Sequence, residues 1–272
     1  MRERIEISKQ DLTRLYYGER KSKYKIGAVY DCSFKTVLNR MREYGMKPLS
    51  RSIIQSRYEK NDFSGIKTEK AYLIGFRLGD LNVYKTVPHS EVVIARTNTT
   101  HTEQLKLLKK LFDKYGRVSA TQNRKLKSIN INCFLNNTFD FLLPKTDYVE
   151  NWISQNLEYS RAFAAGYVDA EANVGVYDGR ARFKIDSYDK GILKWFYDWF
   201  RNNNITCPFP KEIAFGKIYG TKYNKPLWRI RVSESSSLVL LYKSLRPFLR
   251  HEKRIRDFNL CINNIYDRRN NK

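Results

Sequence analysis

The spacing of apolar residues over the first fifty positions predicts three helices. Residues 7–17 (ISKQDLTRLYY) form one apolar stripe, and residues 24–46 carry two more stripes separated by a short turn. Ser33 precedes the last stripe, where its side chain is expected to cap the helix by accepting a bond from a free backbone N–H. Gly27 would let the two helices approach closely, with Val37 filling the space between them.

The second and third stripes resemble the helix-turn-helix of small DNA-binding modules, whose second helix enters the major groove. The residues expected to face DNA are Phe34, Lys35, Asn39 and Arg40. An ordinary helical hairpin is the alternative interpretation. We therefore predict a helix-turn-helix DNA-binding region over residues 1–50, followed by a basic linker over residues 51–68.

From residue 69 onward the pattern alternates between helical and strand periodicity, and the order of elements is repeated. The first half has an apolar helix (AYLIGFRLGD), two strands, an amphipathic helix (HTEQLKLLKKLFDKYG), two more strands and a helix starting at TFDFLL. The second half starts at RAFAAGYVDA, follows the same order and ends in two helices. The predicted fold is α+β, with two pseudo-symmetric αββαββα domains over residues 69–157 and 158–272.

Matched positions in the two halves lie 91 residues apart, so that Asp80 aligns with Glu171. Small residues line one face of each apolar helix, because positions four apart lie above one another. These helix-interface residues are Gly75 and Gly79 in the first helix and Ala162, Gly166 and Ala170 in the second. If the two helices pack side by side in the same direction, Asp80 and Glu171 meet at their C-terminal ends.

Two carboxylates at adjacent helix C-termini repel each other and the partial negative charge of the helix ends. A bound cation removes this cost, and Mg²⁺ prefers carboxylate, carbonyl and water oxygens. Divalent ions shared between two carboxylates and a phosphate activate water and stabilise the leaving oxygen. Asp80 and Glu171 are therefore candidate catalytic and metal-binding residues for phosphodiester hydrolysis.

The net charge of the chain is also informative about its binding partner. Its 272 residues include 51 Lys+Arg and 28 Asp+Glu, a formal net charge of +23, together with 14% aromatic residues. This composition favours a nucleic-acid partner, and the alternative is a soluble protein that is merely basic. The four cysteines and three histidines form no zinc-ligand spacing, so a structural zinc site is not expected.

No apolar run approaches the ~20 residues that cross a bilayer, and the N-terminal sequence lacks an apolar signal segment. The scattered cysteines suit a reducing compartment. We therefore expect an intracellular, cytoplasmic protein with no membrane partner. It would be nucleoid-associated in a prokaryotic host, and an organellar location stays open.

Two segments, YLIGFRLGDLNV and AFAAGYVDAEANV, resemble the signature helices of LAGLIDADG homing endonucleases in the single-chain form with two pseudo-symmetric domains. The resemblance extends from near Lys70 to the C-terminus, and it implies that Asp80 and Glu171 are the metal-binding acids. It implies two or three Mg²⁺ ions, with Mn²⁺ able to substitute and Ca²⁺ binding without turnover. It also implies a catalytic basic residue near each active centre, in the places that Lys145 and Lys253 occupy.

The same resemblance implies that four strands per domain form a DNA-binding saddle, in which alternate side chains face the major groove. The candidates are Tyr84, Arg96, Asn123 and Lys125 in the first half, and Arg180, Arg182, Lys184, Lys217, Arg229 and Arg231 in the second. Asp169 matches an acid of the signature that is more often structural. The implied partner is double-stranded DNA with a long, asymmetric target, bound by a monomeric chain.

The function implied is that of a site-specific homing endonuclease, which makes a metal-dependent double-strand break by phosphodiester hydrolysis. Two alternatives use the same basic scaffold. One is a non-cleaving DNA-binding transcriptional regulator, against which the paired acids argue because they are costly without a metal. The other is an intron RNA maturase, and the sequence does not decide whether RNA is bound.

Overall fold

A computed structural model describes residues 5–49, 58–218 and 220–270, and the chain divides into two compact units between Glu59 and Lys60. Part of the predicted basic linker, residues 51–57, lies outside the described residues. No helix in the described ranges is both long and apolar enough to cross a membrane. Each unit has its own hydrophobic core.

The N-terminal unit is helical, as predicted. It contains α1 (Lys9–Leu12), which continues into a π-helical turn, then α2 (Lys23–Val29) and α3 (Phe34–Glu43). Ser33 caps α3 by accepting from a backbone N–H at 3.2 Å, and Val37 is fully buried. A Cβ on Gly27 would lie 2.5 Å from the Cys32 carbonyl oxygen, so the close approach predicted at this glycine is confirmed.

The first half of the larger unit begins with α4 (Lys67–Asp80), whose C-terminus leads directly into a sheet. The sheet is antiparallel, in the order β1-β2-β4-β3. Its elements are β1 (Asn82–Tyr84), β2 (Val92–Thr99), α5 (Thr102–Phe112), β3 (Arg117–Asn123) and β4 (Ser128–Asn136). The predicted closing helix is a short 3₁₀ turn at Asn137–Leu142, since Pro144 lacks the N–H that a longer helix would use.

The second half repeats this order, which confirms the predicted pseudo-symmetric α+β architecture. Its antiparallel sheet has the matching order β5-β6-β8-β7. Its elements are α6 (Asn151–Ser154), α7 (Leu157–Glu171), β5 (Ala172–Tyr177), β6 (Arg180–Ser187), α8 (Lys190–Asn202), β7 (Lys211–Ile218), β8 (Thr221–Val232), α9 (Ser235–Leu245) and α10 (Glu252–Asn270).

The two halves share one continuous hydrophobic core, because α4 and α7 pack directly on each other. The predicted ranges 69–157 and 158–272 both lie within the compact unit that begins at Lys60. In each sheet one face is buried against helices, as alternate residues of β4 and β6 show. The opposite face of each sheet is open to solvent.

Candidate functional site

Glycines allow α4 and α7 to approach until their backbones touch. A Cβ on Gly75 would overlap the backbone oxygen of Phe163, and a Cβ on Gly166 would overlap that of Tyr72. The predicted interface residue Gly79 lies against Ala170, where a Cβ would be 2.5 Å away. Ala162, the remaining predicted interface residue, is fully buried. The close pairing of the two helices is confirmed, and it ends at their last residues, Asp80 and Glu171.

Hydrogen bonds hold the Asp80 carboxylate from two sides. Thr97 Oγ1 donates to Oδ1 at 3.2 Å, and Gln104 Nε2 donates to Oδ2. The side-chain oxygen of the same amide, Gln104 Oε1, lies 3.0 Å from His251 Nε2. Burial raises the pKa of Asp80 to about 6, although the bonds from Thr97 and Gln104 lower it in part. Asp80 is thus a positioned carboxylate that is costly to ionise.

Glu171 lies in the electrostatic field of Asp80. Burial raises the pKa of Glu171 to about 7, and the negative charges of Asp80 and Asp189 add to this, whereas Lys145 and Arg254 lower it. Within the described ranges, no lysine or arginine forms an ion pair with either Asp80 or Glu171. Within these ranges the two acids are therefore only partly compensated, by the nearby charges of Lys145 and Arg254, and a cation at this place would be favourable.

A further acid that acts on the pair is Asp189, whose charge raises the pKa of Glu171. Among the residues that the structure describes, no group of three or more His, Cys, Asp or Glu side chains is arranged to hold a metal ion. A hard cation here would complete its coordination with carbonyl, water or phosphate oxygens, as Mg²⁺ often does.

The predicted basic residue of the first half lies near this site. Lys145 is exposed in the segment after the 3₁₀ turn, and its charge lowers the pKa values of Glu171 and Asp189.

The predicted basic residue of the second half, Lys253, lies in the first turn of α10. Lys253 Nζ is paired with Asp257 at 2.7 Å, one turn along α10. Arg254 is only 13% exposed, and its charge acts on Glu171 and Asp169. Arg254 Nη1 lies 3.6 Å from the same Asp257 carboxylate, so this pairing does not separate the two residues. The role of Lys253 stays a prediction, and Arg254 beside it is a cation of α10 whose charge lowers the pKa of Glu171.

Asp169 holds the start of α10, as the structural role implied for it suggests. Its Oδ2 accepts bonds from the Tyr72 hydroxyl at 2.7 Å and from the backbone N–H groups of Arg250 and His251 at 2.8 and 3.1 Å. Burial raises its pKa to about 6, and these bonds lower it in part. Asp169 fixes the segment that carries His251 and Arg254 beside the paired carboxylates.

The sequence patterns did not identify Gln104, Thr97 and His251 as residues of the hydrogen-bond network around Asp80. Gln104 did leave a signal, because it occupies the buried stripe of α5 together with Leu107, Leu108 and Leu111. A polar side chain on such a stripe needs a hydrogen-bonding partner. Its partners come from distant parts of the chain, so the signal does not identify them.

The exposed face of the second sheet is basic. Asn173, Lys184 and Arg231 lie in one row across β5, β6 and β8. The predicted residues that line one open pocket on this face are Arg180, Arg182, Lys184, Arg229 and Arg231. Lys217 is exposed on β7. Alternation along β6 and β8 therefore places the five basic residues of these two strands on one exposed face, as expected from the sequence, and contact of any of them with DNA stays a prediction.

The first sheet presents a more polar face. Arg96 is exposed and pairs in register with Asn82 and Asn132, while Tyr84 is half-buried at the end of β1. Asn123 ends β3, where its side chain accepts a backbone bond from the following turn. Lys125 lies in that turn rather than on a strand, because the hairpin from β3 to β4 begins before it.

In the N-terminal unit, Lys35 and Asn39 are exposed on one side of α3. Phe34 is half-buried and packs against Tyr24, with ring centroids 4.7 Å apart and the ring planes tilted by 30°. Arg40 is only 8% exposed. Its guanidinium donates to the Ile5 carbonyl oxygen and to Glu43, so the prediction that Arg40 faces DNA is wrong.

Among the comparisons with known proteins, only the solved structures include matches to this chain. No family model and no curated protein matches the chain. The crystal structure of I-DmoI in complex with DNA and Ca matches at 14% identity and a TM-score of 0.49, covering 70% of this chain and 96% of that chain. The homing endonuclease I-WcaI bound to its DNA recognition sequence matches at 16% identity and a TM-score of 0.49, covering 81% and 97%.

The N-terminal LAGLIDADG domain of DUF199/WhiA is also similar, at 12% identity and a TM-score of 0.44, covering 68% of this chain and 86% of that chain. At such identities the likeness concerns the fold and not the activity. These similar structures include a homing endonuclease and a LAGLIDADG domain, and the two glycine-containing helices of this chain resemble the LAGLIDADG signature in sequence.

Proposed function

We propose that this protein is a divalent-metal-dependent DNA endonuclease that cuts both strands of a long, asymmetric duplex site by phosphodiester hydrolysis. One observation carries the proposal. Asp80 and Glu171 end two helices that touch through Gly75 and Gly166, and neither carboxylate has a cationic side chain paired with it among the described residues. Such a pair is stable at neutral pH when positive charge is supplied from outside the chain.

The donor set fits a hard divalent cation. Asp80 and Glu171 would hold Mg²⁺ through carboxylate oxygens, and phosphate and water oxygens would complete the coordination. The bound ion supplies Lewis-acid stabilisation of the phosphate and a more acidic water. Mn²⁺ is expected to substitute for Mg²⁺, and Ca²⁺ to bind without turnover.

The surrounding side chains have distinct roles in this proposal. Thr97 and Gln104 orient Asp80, so that its carboxylate does not need to reorganise when substrate binds. Lys145 and Arg254, whose charges reach Glu171, would stabilise negative charge developing on the scissile phosphate. Placing donors around the carboxylates in advance lowers the barrier without using binding energy to reorganise the site.

The DNA would lie along the exposed faces of the two sheets. Phosphate neutralisation by the basic residues supplies affinity, and side chains on alternate strand positions reach base edges in the major groove. The strand register matches Asn82, Arg96 and Asn132 of the first sheet with Asn173, Lys184 and Arg231 of the second. Because Arg231 stands where the first sheet has the neutral Asn132, the two half-sites would differ. One chain contains both halves, and we therefore propose a monomeric, intracellular enzyme.

The test is selection of cleaved sites from a randomised duplex DNA library with Mg²⁺. Parallel selections use Ca²⁺ in place of Mg²⁺, and the Glu171→Gln and Asp80→Asn variants with Mg²⁺. We expect one long site, cut only by the wild-type protein with Mg²⁺, while both variants still bind that site. Full activity in either variant would contradict the metal assignment.

Specific binding of DNA without cutting would replace the endonuclease by a non-cleaving regulator. Preferential binding of structured intron RNA over duplex DNA would instead indicate a maturase. The same purified protein can be used for all three measurements.

A further inference from the structure

One cross-strand pair on the exposed face of the second sheet fixes the orientation of an arginine. Arg229 Nε donates to Asp186 Oδ1 at 2.6 Å, and Arg229 Nη2 donates to Oδ2 at 2.7 Å. A bidentate pair of this kind is stronger and more directional than a single contact. The two side chains remain 36% and 30% exposed, so the guanidinium is held but not enclosed.

The pair lies next to the candidate active site. Ala172, the first residue of β5, pairs with Ile185 of β6. Because the strands are antiparallel, the next residues on that side, Glu171 and Asp186, lie opposite each other. Arg229 faces Asp186 from β8. A base contacted by Arg229 would therefore lie close to the phosphate beside Glu171.

The first sheet has different chemistry at the equivalent position. When the β1–β2 register is extended back to the carboxylate, Asn98 lies opposite Asp80. In the same way, the β5–β6 register places Asp186 opposite Glu171. There the cross-strand pair is formed by two amides, since Asn98 Nδ2 donates to Asn130 Oδ1 at 2.6 Å. The pseudo-symmetric halves thus place an amide pair and a guanidinium–carboxylate pair at matching places.

We infer that Arg229 is a specificity-determining residue that reads a guanine beside the cut, and that Asp186 is the residue that positions it. The inference rests on the proposed binding of duplex DNA. Arginine has five N–H donors, and Asp186 engages two of them, which leaves three at the outer edge. Guanine offers O6 and N7 to such an edge in the major groove, whereas asparagine amides match adenine.

A phosphate contact at Arg229 is disfavoured by the same geometry. The negatively charged Asp186 carboxylate lies between two cations, 2.6 Å from Arg229 Nε and 3.5 Å from Lys184 Nζ. Burial raises the pKa of Asp186, but hydrogen bonding and charge from Arg229 outweigh this, so its pKa lies below the ordinary value. A carboxylate that stays ionised repels phosphate and leaves base edges as the favourable partner.

The experiment is selection of bound duplexes from a randomised library in Ca²⁺, where cutting is not needed for recovery. The wild-type protein is compared with Arg229→Lys, which keeps the charge, and with Asp186→Asn, which keeps the arginine. Lys222→Ala removes an exposed cation from the same sheet, at a position not among the predicted base-contacting residues, and is the matched control. Circular dichroism establishes that each variant is folded.

For the wild-type protein we expect guanine at one position on the second-sheet side of the centre, preferred roughly 5- to 150-fold, as for one good bidentate contact. No guanine preference is expected at the pseudo-symmetric position. Arg229→Lys should lose the preference at that position alone, and Asp186→Asn should weaken it. Lys222→Ala should weaken binding to all sequences and leave the base profile unchanged.

A wild-type base profile in folded Arg229→Lys would overturn the inference while leaving DNA binding intact. Failure of the wild-type protein to enrich any duplex would instead overturn the proposed function, and the inference with it. The two failures are therefore distinguishable in one experiment.

Discussion

Gly75 of α4 lies against the backbone oxygen of Phe163 in α7, and Gly166 lies in the same way against the backbone oxygen of Tyr72. The contact is reciprocal, so each helix contributes the glycine that admits the other. A close, nearly backbone-to-backbone approach keeps the helix ends together. The spacing of the two terminal carboxylates therefore depends on residues located more than a helical turn away.

Gly75→Ala should lower the free energy of unfolding by about 1–3 kcal/mol, because the added Cβ overlaps backbone that cannot rotate away. Gly166→Ala should have a similar effect, and both should be measured by chemical denaturation. Gly18→Ala is the control, since nothing lies within 4 Å of its Cβ position. Equal stabilities for Gly75→Ala and Gly18→Ala would contradict the backbone contact.

Much of this arrangement was predictable because it follows from local periodicity. Small residues at positions such as Gly75 and Gly79, four apart on an apolar helix, identify a close helix contact whatever the partner is. The repeat after 91 residues identifies the partner, and alternation along β6 identifies which side chains share a face. These features depend on spacing, which one sequence displays directly.

The details of the site were less predictable because they depend on contacts between distant segments. Gln104 meets His251 across 147 positions, and no local pattern relates the two. Whether Lys253 or Arg254 faces Glu171 depends on the rotation of α10, which Asp169 fixes from another helix. Such choices are made by tertiary packing and not by residue type.

Glu171→Gln should stabilise the metal-free protein at pH 8. The pKa of Glu171 is raised from its ordinary value of 4.5 to about 7, so the folded protein binds this proton more tightly than the unfolded chain does. Stability therefore falls as pH rises from about 4.5 through about 7. In EDTA at pH 8 we expect the variant to gain roughly 1–3 kcal/mol, a gain that disappears near pH 4. Urea titrations at both pH values measure it, and a gain that persists at pH 4 would argue against burial of the ionised carboxylate.

Mg²⁺ should raise the melting temperature of the wild-type protein at pH 8, because an ion that binds only the folded state stabilises it by mass action. The shift should disappear at pH 5, where the raised pKa values of Asp80 and Glu171, about 6 and about 7, leave both acids largely protonated. It should also be absent in the Asp80→Asn variant. Differential scanning fluorimetry without DNA provides the measurement. An equal Mg²⁺ shift in Asp80→Asn would place the ion elsewhere.

Gln104→Leu should slow cleavage and raise the Mg²⁺ concentration needed for half-maximal rate. The change removes the amide between Asp80 and His251, so neither the carboxylate nor the imidazole keeps its hydrogen bond to residue 104. Leaving buried polar groups without partners costs about 1–3 kcal/mol of stability. Lys106→Leu, at an exposed position of the same helix, is the control. An unchanged Mg²⁺ requirement in Gln104→Leu would reduce the role of Gln104 to packing.

Deletion of residues 1–59 should weaken DNA binding and flatten its dependence on salt. The N-terminal unit has its own core of residues such as Leu12, Tyr16 and Met41, so the remainder of the chain retains its core intact. For every phosphate that the shortened protein no longer neutralises, the slope of log K against log salt should fall by about 0.9. Fluorescence anisotropy over a range of KCl concentrations measures this slope, and an unchanged slope would remove the N-terminal helices from the DNA-binding surface.

Lys35→Ala should reproduce part of that effect, lowering the slope by the equivalent of about one phosphate, because Lys35 is exposed on α3. Arg14→Ala is the matched control, since Arg14 is exposed but already paired with Asp11 and Glu19. Its replacement should leave the slope unchanged. Equal slopes for the two variants would mean that the N-terminal unit attracts DNA through its total charge and not through α3. A smaller slope for Lys35→Ala alone would locate the phosphate-binding residue on α3, the helix that the sequence pattern identifies as the DNA-facing one.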